Sequence, residues 1–175
     1  GLVYNIGERT EGYSNFLWTV LLAAGAKLGL APESVAPVLG HSCLALTLLV
    51  LWRTSHRFEI LAGAGWQGVV LLLAMTSPTL AYWAGAGLET PLFVLLWLGS
   101  RDRLAAAWEG RSTVPAALLL GLLALCRPDG ALLVTTAAAV WLLSAVGGER
   151  RRAGIALAAV TLGLAVYAAW KLHYY

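Results

Sequence analysis

Long apolar stretches alternate with short charged islands along this chain, and that pattern leaves few folds open to it. Seven stretches run over 15–30, 35–52, 60–82, 88–100, 114–126, 131–147 and 153–171. A soluble domain carries roughly 25% charged residues. Here they make up 12%, against 59% apolar residues and a mean hydropathy of +0.75. Apolar runs of this length read as helices in lipid, where each backbone polar group must be satisfied within its own segment. The expected fold is therefore all-α, a polytopic helical membrane protein. The 8 Trp and 6 Tyr, several near stretch ends, fit interfacial anchors. A soluble domain of this size would need charged helix faces, and none can be drawn. Nucleic-acid binding would need a basic face, which is missing too. Cys43 and Cys126 sit in or at the end of apolar stretches and read as buried thiols.

The placement of charge orients the chain. Arg53, Arg57, Arg101, Arg103, Arg111, Arg150, Arg151 and Arg152 supply most of the 12 Lys and Arg, and all lie in three loops. Those loops are separated by pairs of helices, so they share a side, which the positive-inside rule makes cytoplasmic. "AGAGLE", "RPDG" and "KLHYY" then fall on the outer side. Stretch 15–30 is the odd one. Its 16 residues reach about 24 Å, short of a ~30 Å hydrocarbon core, and it carries Lys27. Read as an interfacial or re-entrant helix, it leaves the opening loop 1–14 outside and about six spanning helices within 35–171. Stretches 88–100 and 114–126 reach only about 20 Å each, and their charges, Glu89 and Arg127, stand at outer ends. A charge at membrane depth costs roughly 2.5–3.5 kcal/mol on insertion scales, so a water-filled outer cavity is expected there. Pro78 and the small residues before Glu89 suit a broken approach to it.

Several motifs have plain readings. "GAGWQG" at 63–68 matches a nucleotide-binding glycine pattern by letters but has no preceding strand. Close helix packing explains Gly63, Gly65 and Gly68 better, as it does "GAKLG" at 25–29. In "AGAGLETP", Glu89 is either an acid favoured at a helix N-terminus or a carboxylate lining the cavity against a sugar hydroxyl or a metal. In "CRPDG", Pro128 and Gly130 suit a tight turn and Asp129 suits a cap on the next helix. Arg127 is left over, as a fork of donors for a phosphate or as a partner of Asp129. "KLHYY" is either an interfacial anchor or, through Lys171 and His173, a group that neutralises phosphate.

"GLVYNIGERTEGYSNFLWTVLLA", "SPTLAYWAGAGLETPLF" and "LLALCRPDGALL" resemble, in that order, segments of bacterial glycosyltransferases of the GT-C membrane fold. The likeness is greatest to the terminal arabinofuranosyltransferases of cell-envelope assembly. It covers nearly the whole chain, and the opening motif is its most specific part. The resemblance implies a polyprenyl-phosphate-linked sugar donor and a glycan or lipid acceptor whose hydroxyl attacks on the outer face of the bacterial plasma membrane. It also implies an inverting transfer with a carboxylate base from the first outer loop. In such proteins a first transmembrane helix and an acidic pair precede the segment that matches Gly1. The chain starts at Gly1 rather than Met and is expected to be a piece of a longer protein, inactive alone, with its base upstream.

In that mechanism a carboxylate takes the acceptor proton while the lipid phosphate leaves, its charge met by donors such as Arg127 and His173. Glu8, Arg9, Glu11, Tyr13 and Asn15 are expected to shape the loop and hold sugar hydroxyls, with Glu89 and Asp129 on the facing wall. No residue is assigned to a metal, although the outward acids leave room for a divalent ion. The rival reading is a transporter or flippase of lipid-linked or small polar molecules, which broken helices also suit. It would be favoured by an internal repeat, and none is found.

Overall fold

A computed structural model describes residues 14–55, 64–144 and 148–174. Among these residues the chain is all helical, in the order α1 Phe16–Lys27, α2 Pro32–Ser55, α3 Ala64–Met75, α4 Pro78–Gly85, α5 Thr90–Trp108, α6 Val114–Cys126, α7 Pro128–Ser144 and α8 Gly148–Tyr174. The apolar stretches are thus helices, but Arg53 lies on α2 and Arg150, Arg151 and Arg152 lie on α8 rather than in loops, and three further differences from the sequence reading stand beside this one. Stretch 60–82 is two helices bent by 51° at Thr76–Ser77. Pro78 lacks the N–H that would continue the ladder, and Ser77 caps the new helix by accepting from the Leu80 N–H at 3.4 Å. The second difference is α5, which does not stop at 100 but runs to Trp108, carrying Arg101, Asp102 and Arg103 on helix rather than in a loop. Buried Leu92, Leu96, Ser100, Leu104 and Ala107 recur every three or four residues along it, so one continuous stripe holds it to its neighbours. The third is "CRPDG", where only Arg127 is non-helical, with extended backbone between α6 and α7.

α6 packs deep in the bundle through one face. Ala116, Leu120, Leu123 and Cys126 are all fully inaccessible on it. α5 lies antiparallel to α6: Glu89 meets Cys126 at one end, while Leu119 lies beside Gly99 further along. α8 runs parallel to α6, since Thr113 and Arg152 flank one end of a shared groove and Val160 lies beside Gly121. α2 runs parallel to α5, with Ala36 beside Gly87 and Thr47 facing Thr90 and Val94. Buried Thr47 and Ser100 bond to the carbonyls of Cys43 and Trp97, so neither leaves an unpaired hydroxyl.

These directions sort the charges by end. Glu89, Arg127, Asp129 and the C-terminus of α8 share one end, and Arg53, Arg101, Arg103, Arg111, Arg151 and Arg152 lie toward the other. α1 stays at the first end. Trp18 reaches Gly87, and Gly25, further along the same helix, sits against Val35 near the start of α2.

Much of the bundle's surface is apolar, with Leu118, Leu132, Leu143, Leu162 and Leu172 each more than 60% exposed. Contiguous exposure of this kind marks a surface that meets lipid or another protein. Among the described residues α2 and α8 are each long and apolar enough to cross a membrane, and the bent α3–α4 pair makes a third crossing if it counts as one. Six crossings are more than the described helices supply by length and apolar composition.

The motif glycines divide: in "GAKLG" Gly25 packs tightly on Val35, where a Cβ would lie 3.1 Å from its side chain, while Gly29 has open space. Gly65 and Gly68 have open space where a Cβ would be, and Gly63 lies outside the described residues. Gly40 instead presses on the Ala84 carbonyl and Gly130 on the Leu123 carbonyl, where a Cβ would collide with backbone. In the full-length protein, Gly40→Ala and Gly130→Ala should each lower the melting temperature, with a cost of about 1–3 kcal/mol for overpacking. Gly68→Ala, on an exposed helix face, should leave it unchanged or raise it. Differential scanning fluorimetry in detergent separates the two classes.

Candidate functional site

Three chain junctions meet at the polar end. The first is the start of α1, where Asn15 stands at the N-cap position without capping its own helix. Its side-chain carbonyl accepts from Thr19 Oγ1 at 3.2 Å, which turns the amide nitrogen outward. That nitrogen donates to Glu89 Oε2 at 2.9 Å, across 74 residues of sequence. A carboxylate only accepts, so the pairing fixes which way the Asn15 amide points.

The second junction is the turn between α4 and α5. Gly87 takes φ +76°, a left-handed conformation that costs glycine little. Its carbonyl accepts from the Trp18 indole N–H at 3.1 Å. Trp18 is only 3% exposed, so the ring is a core side chain with its one polar atom satisfied. Pro91 sits in the first turn of α5, and Glu89 stands just ahead of that helix, largely buried.

The third junction is Arg127. Extended backbone swings its side chain back over the start of α5. Nε donates to Asp129 Oδ1 at 3.0 Å, Nη1 lies 3.6 Å from Glu89 Oε1, and the guanidinium covers the Phe93 ring at 5.3 Å. The hydrogen bond to Asp129 pushes the pKa of Arg127 up, opposed by partial burial and aided by the charges of Asp129 and Glu89. Asp129 therefore does not cap α7: it lies in that helix's first turn and its carboxylate serves Arg127.

Four of the residues singled out in the sequence, Asn15, Glu89, Arg127 and Asp129, are thus in one contact chain. Glu8, Arg9, Glu11 and Tyr13 lie outside the described residues. His173 is exposed on the last turn of α8 and does not join the Glu89–Arg127 contacts. That helix end reaches α1 instead through aromatic rings: Phe16 lies 4.7 Å from Tyr167 and 5.9 Å from Trp170, and Trp170 stacks on Tyr174 at 5.4 Å. Lys171 sits 5.9 Å from the Tyr167 ring.

The charges at the ends of α5 and α6 neutralise one another, which relieves the cost that a water-filled cavity would otherwise have to avoid. A groove of about 650 Å³ does open between α6 and α8, but it is apolar and touches neither Glu89 nor Arg127. Among the described residues no group of three His, Cys, Asp or Glu side chains gathers as metal ligands would. Cys43 and Cys126 are free and buried, as their apolar neighbours predict.

Trp18 and Phe93 escape the sequence reading, which treats tryptophans near stretch ends alike, as interfacial anchors. The available signal is position: Trp18 follows Asn15 by three residues, so it stands beside the polar cluster on the same helix.

Over its whole length the chain is similar to a terminal β-(1→2)-arabinofuranosyltransferase of Mycobacterium tuberculosis, at 30% identity across 190 aligned residues. It spans 30% of that relative's length. The resemblance carried by the three motifs holds as this distant relation. No protein-family model matches the chain, and no solved structure does.

Trp18→Phe keeps an aromatic ring and removes the N–H that Gly87 accepts. It should destabilise the full-length protein by about 1–3 kcal/mol, the cost of a buried group left unpaired. A thermal melt compared with Trp52→Phe, whose ring is about half exposed, provides the control.

Proposed function

We propose that the full-length protein is an integral-membrane glycosyltransferase that moves a sugar from a polyprenyl-phosphate carrier to an acceptor hydroxyl at the outer face of a bacterial plasma membrane. The observation that carries this reading is the meeting of three separated motifs in one polar cluster, together with whole-chain similarity to an arabinofuranosyltransferase. A pentose is the natural first donor to test, with arabinofuranose ahead of other sugars. The cluster faces outward and the arginine-rich end faces the cytoplasm, as positive-inside sorting requires. α2, the bent α3–α4 pair, α5, α6, α7 and α8 make the six crossings, and α1 lies in the interface.

Arg127 has the chemistry for the departing lipid phosphate. Asp129 and Glu89 engage two of its nitrogens, while five N–H groups are available in all, and the side chain is 37% exposed. Its two carboxylate partners hold it in place and leave donors for an anion, whose charge grows as the carbon–oxygen bond to the sugar breaks. The opening loop, with Glu8, Arg9, Glu11 and Tyr13, holds sugar hydroxyls beside Asn15, and His173 adds a second donor near the phosphate. No residue of this chain is assigned as the base that removes the acceptor proton. Transport of a lipid-linked substrate is the second reading, favoured by the broken α3–α4 pair alone.

Two measurements test the proposal on the full-length protein. Arg127→Ala should lower transfer from a polyprenyl-phosphate pentose about 10²-fold, in line with the loss of one charge-stabilising donor, while expression stays near normal. Arg127→Lys, a point charge without the fork, should fall between. Equal loss of expression and transfer would make Arg127 structural. For orientation, Ser14→Cys should react with an impermeant maleimide from outside intact cells and Ser112→Cys only after permeabilisation. Labelling of both from one side would refute the topology.

A further inference from the structure

We infer that Glu89 is a positioning residue: it clasps the end of the opening motif to the bundle and does not itself touch substrate. The inference rests on the transferase reading only for its effect on rate. Each carboxylate oxygen of Glu89 already faces a partner from a different segment, Oε2 the Asn15 amide at 2.9 Å and Oε1 the Arg127 guanidinium at 3.6 Å. Its side chain is 16% exposed, less than half the exposure of Arg127. Each oxygen keeps one further acceptor position, but with both oxygens already held and the side chain mostly covered, a ligand at Glu89 would compete with Asn15 and Arg127 for it.

The partner side is equally specific. Asn15 closes the motif "NIGERTEGYSN" and is the residue through which that motif enters α1. Thr19 fixes its amide, and Trp18, on the next turn, anchors to Gly87, two residues before Glu89. Ala36 of α2 packs beneath Gly87, where a Cβ would approach it to 3.3 Å. Two hydrogen bonds from one helix start thus grip one short turn, and the ion pair ties that turn to Arg127. The clasp sets the distance between Asn15 and Arg127.

A donor–acceptor exchange tests this. Asn15→Asp sets two carboxylates against each other and should cut transfer by the full-length protein about tenfold, the scale of coupling between residues in contact. In the double variant, Asn15→Asp with Glu89→Gln, the amide introduced at position 89 donates to the carboxylate introduced at position 15, and its oxygen still accepts from Arg127. Transfer should recover to within about threefold of wild type, and the melting temperature should fall and recover in the same order. Recovery of the melting temperature without recovery of transfer would show that the Glu89 charge acts on substrate and would overturn the inference. Failure of both to recover would overturn the clasp itself. If the wild-type protein transfers no sugar at all, the transferase reading fails, and the melting series still decides whether the clasp exists.

Discussion

An ionised group at the end of an apolar helix has to find a partner, and here Glu89 and Arg127 find each other. Everything at the polar end follows from that pair. Because Glu89 precedes α5 and Arg127 follows α6, their approach fixes the ends of two antiparallel helices. Asp129 takes the remaining pull on Arg127, and Asn15 takes the second oxygen of Glu89. A partly buried ion pair offsets its desolvation only when hydrogen bonds satisfy the remaining positions, and Asn15 and Asp129 supply them. Phe93 covers the guanidinium with its ring face, which adds attraction without competing for its donors.

The same logic explains why the rest of the bundle can be so apolar. With Glu89, Asp129 and Arg127 gathered at one end and Arg53, Arg101, Arg103, Arg111, Arg151 and Arg152 toward the other, the middle of α6 needs only small and aliphatic residues. The large leucines that point outward from α6, α7 and α8 are then ordinary in lipid, though they would be a liability in water. Gly40 and Gly130 bring α2 onto α4 and α7 onto α6 close enough for backbone contact, so the polar end is built on tight supports. A site assembled from three junctions gains precision from such supports, because each junction is a helix end rather than a free loop.

How much of this is legible in the sequence differs by kind of feature. Helix centres are legible because apolar runs and the absence of charged faces admit nothing else. The α3–α4 break is signalled by Pro78. The continuation of α5 through Arg101–Arg103 is not, because a charged run between apolar stretches reads as loop, whereas the burial of Leu104 and Ala107 beside those arginines decides the matter. Arg127 and Glu89 stand out as charges with no cheap place in a membrane. Their pairing is not legible, nor is the bond from Asn15, since nothing local links residues 74 positions apart. Glycine spacing misleads: "GAGWQG" has the letters of a packing motif, yet what matters is whether a neighbouring backbone lies where a Cβ would go.

Consumption of a lipid-linked sugar at the polar end, on the side away from the arginine-rich end, can be tested with the full-length protein in proteoliposomes of known orientation. These are loaded with a polyprenyl-phosphate pentose in both leaflets. An oligosaccharide acceptor that cannot cross the membrane is then supplied on one side at a time. Glycosylated acceptor, with polyprenyl phosphate released in equal amount, should form only when the acceptor is on the side where Ser14→Cys is labelled. Product formed only on the arginine-rich side, or donor moved across the bilayer with its sugar still attached, would contradict it.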